Sequence, residues 1–350
     1  MKKKIFLVIS SLSAGGSERV FWLLSQALDK DKYEVFIVLF NSNKSFFSLD
    51  IEGVNVIDLK TIKASLSFRK LLKLIRDERP DVVLGTGDHI NFLISFISNF
   101  VKIPKLLARP TCISVEIIKH AGIKAKLLDK FTKLFYRRFD SVVCQSNEIR
   151  NTLERVYKID PSKLVVIPNP VAISDKIKSD KTNNRVIVVG RLSNEKGHSR
   201  LLDVFSQLPE SYSLTIAGDG NQRHSLEEKI QNLNLASRVN LLGQVSNPIE
   251  LISQHDLLVL SSFTEGFPNV VLESLSVGVP VVTFRVGGVS NFVINDFNGY
   301  IIEQDDLHGL RQGIEKGCSK IWNPIEIKKH IINQFSVEKV AKAYESLMEK

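Results

Sequence analysis

Apolar residues fall into short continuous runs along the whole chain, at residues 5–9, 35–40, 82–84, 106–108, 142–144 and 164–167, and again at 186–189, 214–217, 239–242, 257–260, 279–284 and 300–302. Runs of this length, bounded by polar residues or glycine, predict strands buried on both faces. Longer stretches lie between many of them, so the chain reads as alternating strands and helices: an α/β fold built on parallel sheets. The pattern breaks at Pro168-Asn169-Pro170 and the polar run 174–184, which read as a linker. A chain of 350 residues exceeds one ordinary domain, and two are expected, 1–173 and 174–334. In the closing segment 335–350, Phe335, Val337, Val340, Ala343, Tyr344 and Leu347 follow helical spacing and predict an amphipathic helix.

Candidate chemistry gathers where strands are predicted to end. Glu265 and Glu273 stand eight positions apart around Gly266-Phe267-Pro268-Asn269. Within one helix that spacing would separate them by roughly 12 Å. Pro268 suits a helix start, Asn269 is a good cap and Gly278 a stop, so a helix is expected over 270–277 with Glu265 on the loop before it. A helix start offers free N–H groups to phosphate, and carboxylates accept hydrogen bonds from hydroxyls. The combination suits a nucleotide sugar. Upstream, the run 186–189 ends in Gly190 and Arg191 with Lys196 five positions on, two cations able to neutralise a diphosphate. Gly15-Gly16-Ser17-Glu18-Arg19 follows the first run and opens a helix, where glycine lets a ligand approach the backbone. Asp88 and His89 follow 82–84, and Arg109 follows 106–108, again at strand ends.

Taken in order, Gly15 to Arg19, Val189-Gly190-Arg191-Leu192 with Lys196-Gly197, Ala217-Gly218-Asp219-Gly220, the segment from Glu265 to Glu273, Gly287-Gly288-Val289 and Asn298-Gly299 resemble the family 4 glycosyltransferases, the retaining group with the GT-B fold that includes enzymes of bacterial surface polysaccharide assembly. The resemblance implies two Rossmann-like domains whose parallel sheets face each other across a cleft, an acceptor-side domain first and a nucleotide-sugar-binding domain second, with the 335–350 helix returning to the first. It implies a metal-independent hexosyl- or N-acetylhexosaminyltransferase that takes a sugar from a nucleoside diphosphate, UDP rather than GDP, to a hydroxyl of a polyprenyl-diphosphate-linked saccharide. By resemblance, Arg191 and Lys196 stabilise the departing diphosphate and Glu265 holds sugar hydroxyls. The backbone of Phe267, Pro268, Asn269 and Val270 cradles phosphate and sugar, Glu273 holds the ribose, and the loop at Gly243 and Val245 faces the base. Gly15, Gly16 and Gly190 approach the donor, His89 polarises the acceptor hydroxyl with Asp88 an equal candidate, and Arg109 holds acceptor phosphate. Many relatives have an acidic residue where this chain has Asn291. A glycosidase using Glu265 and Glu273 would need carboxyl groups about 5 to 5.5 Å apart, which the turn opposes. A noncatalytic nucleotide-sugar-binding partner of another transferase is the remaining alternative.

Charge divides the chain unevenly. Residues 1–175 hold 28 Lys+Arg against 18 Asp+Glu, and residues 176–350 hold 19 against 20. In the first half Lys126, Lys130, Lys133 and Arg137 recur at helical spacing beside an apolar stripe, which predicts a basic amphipathic helix on an anionic membrane surface. No nucleic-acid recognition motif accompanies the charge. The apolar run 5–9 is too short for a signal segment and 92–101 too short to span, its length suggesting a buried helix. Cys112, Cys144 and Cys318 fit neither a disulfide framework nor a zinc site. A cytoplasmic protein, peripheral on the inner face of the membrane, is expected.

Overall fold

The computed structural model describes residues 2–43, 45–61, 64–111, 135–178 and 184–350. The chain divides into two compact units, Met1–Pro170 with Val337–Lys350, and Val171–Ser336. The changes of unit fall at Pro170/Val171 and Ser336/Val337, against the expected 173/174 and 334/335.

The first unit is a parallel sheet of seven strands, β1 (Lys3–Ile9), β2 (Tyr33–Leu39), β3 (Val54–Asp58), β4 (Val82–Thr86), β5 (Lys105–Arg109), β6 (Ser141–Cys144) and β7 (Leu164–Val166), in the order β3-β2-β1-β4-β5-β6-β7. The last five residues of β1 are buried, as a central strand covered on both faces requires. β3 has no counterpart among the predicted runs. Its sequence Val-Asn-Val-Ile-Asp lies half-buried at a sheet edge, and Asn55 and Asp58 leave only Val56-Ile57 as adjacent apolar residues, too short a run to register.

The second unit is a parallel sheet of six strands, β8 (Arg185–Val189), β9 (Ser213–Ala217), β10 (Val239–Gly243), β11 (Leu257–Leu260), β12 (Val281–Phe284) and β13 (Gly299–Ile302), in the order β10-β9-β8-β11-β12-β13. Both sheets therefore reverse their order of addition once, between β1 and β4 and between β8 and β11. At such a reversal the loops leaving two adjacent strands diverge to opposite faces and open a crevice at the carboxyl ends.

Two local expectations change. Residues 92–101 do not form a buried helix: α3 (Asp88–Ile97) buries Ile90, Leu93, Ile94 and Ile97 but exposes Phe92 and Phe96, and Phe100 beyond it is exposed too. The closing helix begins at Val337, not 335. Phe335 ends the helix Pro324–Phe335 and packs on Phe292, 5.9 Å between ring centroids, within the second unit. Ser336 adopts φ −57° and ψ 150°, which breaks the helical path before Val337–Glu349 starts.

That closing helix buries Val340, Ala341, Tyr344, Leu347 and Met348 against β1 and the helix α1 (Gly16–Ala27) of the first unit. Tyr33 donates to Glu349 at 3.0 Å, and the Asp29 amide to Glu345 at 2.9 Å. The Tyr344 hydroxyl reaches the buried Arg109 guanidinium. Replacing Tyr344 with alanine is expected to lower the unfolding free energy of the chain by about 3–5 kcal/mol, read from the urea transition. A shift below about 1 kcal/mol would show that the helix adds little to the unit.

Candidate active site

In the second unit the loops after β8 and β11 meet. The first forms the 3-10 turn Asn194–Lys196, closed by Gly197 in the left-handed region at φ 65°. The Lys196 ammonium lies 2.7 Å and 2.9 Å from the two oxygens of Glu265, and the Ser262 hydroxyl donates to the same carboxylate at 2.6 Å. Lys196 and Glu265, 69 positions apart in sequence, thus form one half-buried group. Gly197 permits the approach: a side-chain carbon there would stand 2.1 Å from the Ser261 carbonyl oxygen. Arg191 is exposed on the same loop.

Glycine sets the spacing of neighbouring strand ends as well. The amide of Gly190 donates to Ala217 and that of Gly218 to Gly243, at 2.9 Å and 2.8 Å. A Cβ on Gly218 would fall 1.8 Å from the Gly190 carbonyl oxygen, so the two loops touch through bare backbone. Gly243 has φ 76°, and Val245 follows half-buried. Gly287 plays the same part beside the glutamate loop, its missing Cβ being 2.0 Å from the Glu265 carbonyl oxygen.

The helix after that loop runs Asn269–Ser276, so Asn269 is the first helical residue and Pro268, extended at φ −80° and ψ 91°, occupies the cap position without a side-chain bond. Proline offers no side-chain acceptor, so it caps none of the first helical amides; the Val271 amide donates to the Pro268 carbonyl at 3.1 Å. Glu273 is buried within this helix, Phe267 packs on Phe292 at 5.2 Å, and Val270 lies against the same core.

Arg200 is a site residue that the sequence reading missed. Buried at 8% exposure, it donates to the carbonyls of Ser261 and Ser262 at 2.8 Å and 2.7 Å and reaches Gln304 and Asp305 at 3.1 Å each. Its guanidinium is sandwiched between Phe263 and Phe284, 3.7 Å and 4.0 Å from the ring centroids. It fixes the segment that carries Glu265. No local signal marks it, since its position in the helix His198–Phe205 is that of an ordinary surface arginine.

In the first unit the crevice between β1 and β4 is a cavity of about 310 Å³ lined by Ile9, Ser10, Ser17, Glu18, Thr86, Gly87, Asp88, His89 and Thr111. The Ser10 hydroxyl and His89 Nε2 are 2.7 Å apart. Burial holds the His89 imidazole below its ordinary pKa, against the pull of Asp88, so it is neutral at neutral pH. The Asp88 residue is exposed, but its carboxylate turns in to accept from the buried Tyr136 hydroxyl at 2.9 Å, and the loss of water there raises its pKa.

Two expected contacts differ. Arg109 is not in the cavity lining; at 2% exposure it lies beneath it, donating to Thr86 at 3.1 Å and Asn169 at 2.5 Å. A side chain ending a buried central strand has no path to solvent. At Gly15 and Gly16 the helix start is met by the chain's own Glu18, whose carboxylate lies so close that a Cβ on Gly15 would stand 2.2 Å from Oε2. An acidic residue in the first turn complements the helix dipole. Of the basic helix, Lys126, Lys130 and Lys133 lie outside the described residues, and Arg137 is exposed.

Comparison with known proteins follows this geometry. Residues 14–175 match the family described as Glycosyltransferase Family 4, and residues 172–320 match Glycosyl transferases group 1. A Campylobacter jejuni protein, GalNAc-α-(1→4)-GalNAc-α-(1→3)-diNAcBac-PP-undecaprenol α-1,4-N-acetyl-D-galactosaminyltransferase, is 28% identical, with 94% of this chain and 92% of that protein covered. The Escherichia coli UDP-Gal:α-D-GlcNAc-diphosphoundecaprenol α-1,3-galactosyltransferase is 25% identical over 81% of this chain and 78% of its own length. Among solved structures, Anabaena Alr3699/HepE in complex with UDP shares the fold at a TM-score of 0.79, with 19% identity and 99% of both chains covered. The fold is that of the GT-B glycosyltransferases.

Beside the ion pair, His198 is 3% exposed, and neither ring nitrogen has a hydrogen-bond partner. A second buried histidine of this unit, His255, by contrast bonds Leu251 and Thr215 at 2.8 Å and 2.9 Å. Burial, with the Lys196 ammonium adding to it, lowers the His198 pKa from 6.5 to about 4. The unfolded chain therefore takes up a proton near 6.5 that the folded chain refuses until about 4. Stability from this group is complete above pH 6.5 and is lost as pH falls to 4, by about 3 kcal/mol in all. His198→Leu is expected to remove that part of the acid dependence and to cost less than about 1.5 kcal/mol at pH 8, since no bond is broken. Denaturant titrations of both proteins at pH 8, 6 and 4.5 measure it; parallel losses would refute the assignment.

Proposed function

Because this chain belongs to the glycosyltransferases, with a family 4 domain in its first half and a group 1 domain in its second, we propose that it is a retaining enzyme carrying a hexosyl or N-acetylhexosaminyl group from UDP to a hydroxyl of a polyprenyl-diphosphate-linked saccharide in bacterial surface glycan assembly. The observation that carries the reading is the Lys196–Glu265 pair at the strand-order reversal of the second unit, with Arg191 on the same loop. The acceptor class is supported by the undecaprenol-diphosphate saccharides named for the two relatives, and the donor by the UDP-galactose in one name and the UDP bound in the solved neighbour.

In this reading the diphosphate lies against Arg191 and Lys196, and Glu265 accepts hydroxyls of the donor sugar. The Phe267–Val270 backbone and Glu273 hold phosphate, sugar and ribose, and the Gly243–Val245 loop faces the base. The bond from the anomeric carbon to the β-phosphate oxygen breaks as the acceptor oxygen bonds to the same face of that carbon, and the acceptor proton passes to the leaving diphosphate. The two cations stabilise the charge that develops there, so no metal is required for it. The first-unit cavity takes the acceptor, with neutral His89 polarising its hydroxyl and Asp88 beside it. The protein works at the inner face of the cytoplasmic membrane, where such an acceptor is held.

Thermal unfolding with UDP, GDP and their sugars, with EDTA present, tests the donor half. A nucleotide at a hundred times its Kd is expected to stabilise the wild-type chain by about 2.7 kcal/mol, and Arg191→Ala to abolish most of the shift. Arg191→Ala and Lys196→Ala are expected to lower kcat by about two to three orders of magnitude. Absence of any shift at saturating nucleotide would sink the assignment.

A further inference from the structure

On α3 the residues Ile90, Leu93, Ile94 and Ile97 point into the core, and Phe92 and Phe96 fall one turn apart on the other side. They are 46% and 43% exposed, and Phe100 continues the row at 49%. The rings fall into two groups on one side of the helix. Phe96 and Phe100 are 5.4 Å apart, and Phe68 of the neighbouring helix α2 (Ala64–Glu78) touches them at 5.5 Å and 5.7 Å. Phe92 stands edge-on to Phe135 at 4.2 Å. Isolated exposed apolar side chains are ordinary, but three exposed phenylalanines in a row along one side of a helix, rimmed by polar groups, mark a contact surface.

The rim is basic at both ends. On α2 the exposed Arg69, Lys73 and Arg76 recur at helical spacing, and the Arg76 guanidinium donates to the Phe100 carbonyl at 3.3 Å. At the other end Arg137 and Arg138 are exposed immediately beyond Phe135, with the Arg138 amide bonded to the Phe135 carbonyl at 3.1 Å. Aromatic rings sit well at the boundary between headgroups and acyl chains, and cations around them pair with lipid phosphates.

We propose that Phe92, Phe96 and Phe100 insert into the headgroup boundary of an anionic membrane, with Arg69, Lys73, Arg76, Arg137 and Arg138 as the surrounding lipid-phosphate contacts. This rests on the reading that the acceptor is carried by a membrane lipid, and it names the surface that docks there. A second copy of the chain does not fit the same surface, because a two-fold contact across the row would set the basic rim against its own like charges.

The experiment is co-sedimentation of the full chain with phosphatidylcholine vesicles, with and without phosphatidylglycerol. F92S/F96S/F100S and R69Q/K73Q/R76Q are compared with wild type, and circular dichroism confirms that each is folded. The wild-type chain is expected to favour the anionic vesicles, and the phenylalanine variant to lose about tenfold or more of that partition. The glutamine variant is expected to lose the preference for phosphatidylglycerol and the sensitivity to salt. Failure of the wild type to bind anionic vesicles, or unchanged binding by the phenylalanine variant, overturns the proposal. So does a wild-type dimer that this variant converts to monomer with vesicle binding intact. The UDP thermal shift is measured in parallel: if it persists while vesicle binding is absent, the surface assignment falls and the donor reading stands. Loss of the shift with lipid binding retained gives the converse.

Discussion

The Lys196 ammonium and the Glu265 carboxylate, 2.7 and 2.9 Å apart, join the loop that leaves β8 to the loop that leaves β11, and the second-unit site depends on that contact. Both partners are partly removed from water, with side-chain exposures of 26% and 11%, so loss of either would leave a poorly solvated charge. Their bonding capacity is not exhausted. An ammonium has three N–H donors, of which two meet Glu265; an ionised carboxylate offers about four acceptor positions, of which three are used by Lys196 and Ser262. One donor and one acceptor position remain. The pair therefore need not dissolve to engage a polar ligand, and the cost of ordering two flexible side chains is met within the protein itself.

Preorganisation of this kind needs a backbone that does not yield. Gly190, Gly218 and Gly287 let loops pack carbonyl against α-carbon, where any side chain would collide. Arg200 supplies the lateral restraint. Its five N–H donors reach two backbone carbonyls and two side chains, and two aromatic rings close over its faces. A guanidinium is suited to this because its planar fork meets several carbonyls at once, which a lysine ammonium on a flexible stem does not. The Ser261–Ser262 carbonyls it grips immediately precede Glu265, so the restraint is passed along three residues of chain to the carboxylate.

The sequence was legible where one physical requirement dominates. Strands covered on both faces must be apolar throughout, and twelve of the thirteen strands among the described residues appear as runs; β3 does not, being half-buried and interrupted by Asn55. The ends of the runs located the candidate residues, since parallel topology gathers carboxyl ends on one side of a sheet. Partnerships across the fold were not legible. Nothing local in Lys196 names Glu265, 69 positions away, and Arg200 carries no mark of burial between two phenylalanines that only β11 and β12 bring to it. The expectation for residues 92–101 erred because length was weighed without phase: the phenylalanines lie on the opposite face of α3 from the isoleucines.

Arg109 shows how a residue read as a contact acts by another route. Its strand position was apparent, and an arginine at a strand end suggested a ligand for phosphate; burial at 2% exposure removes direct contact. Its hydrogen-bond partners, Ser17, Thr86, Asn169 and Tyr344, are all neutral, with Glu18 the acidic group whose charge acts on it. Burial opposes the charge and lowers its pKa, yet an arginine so far above neutrality stays protonated. A protonated guanidinium lies beneath Ser17 and Thr86, both of which line the first-unit cavity together with the acidic Glu18 and Asp88. Neutral dipoles hold the cation in place, and the cavity-lining Glu18 offsets part of its charge. The same guanidinium bonds Tyr344 of the closing helix, so the floor of the cavity and the attachment of that helix meet at one side chain.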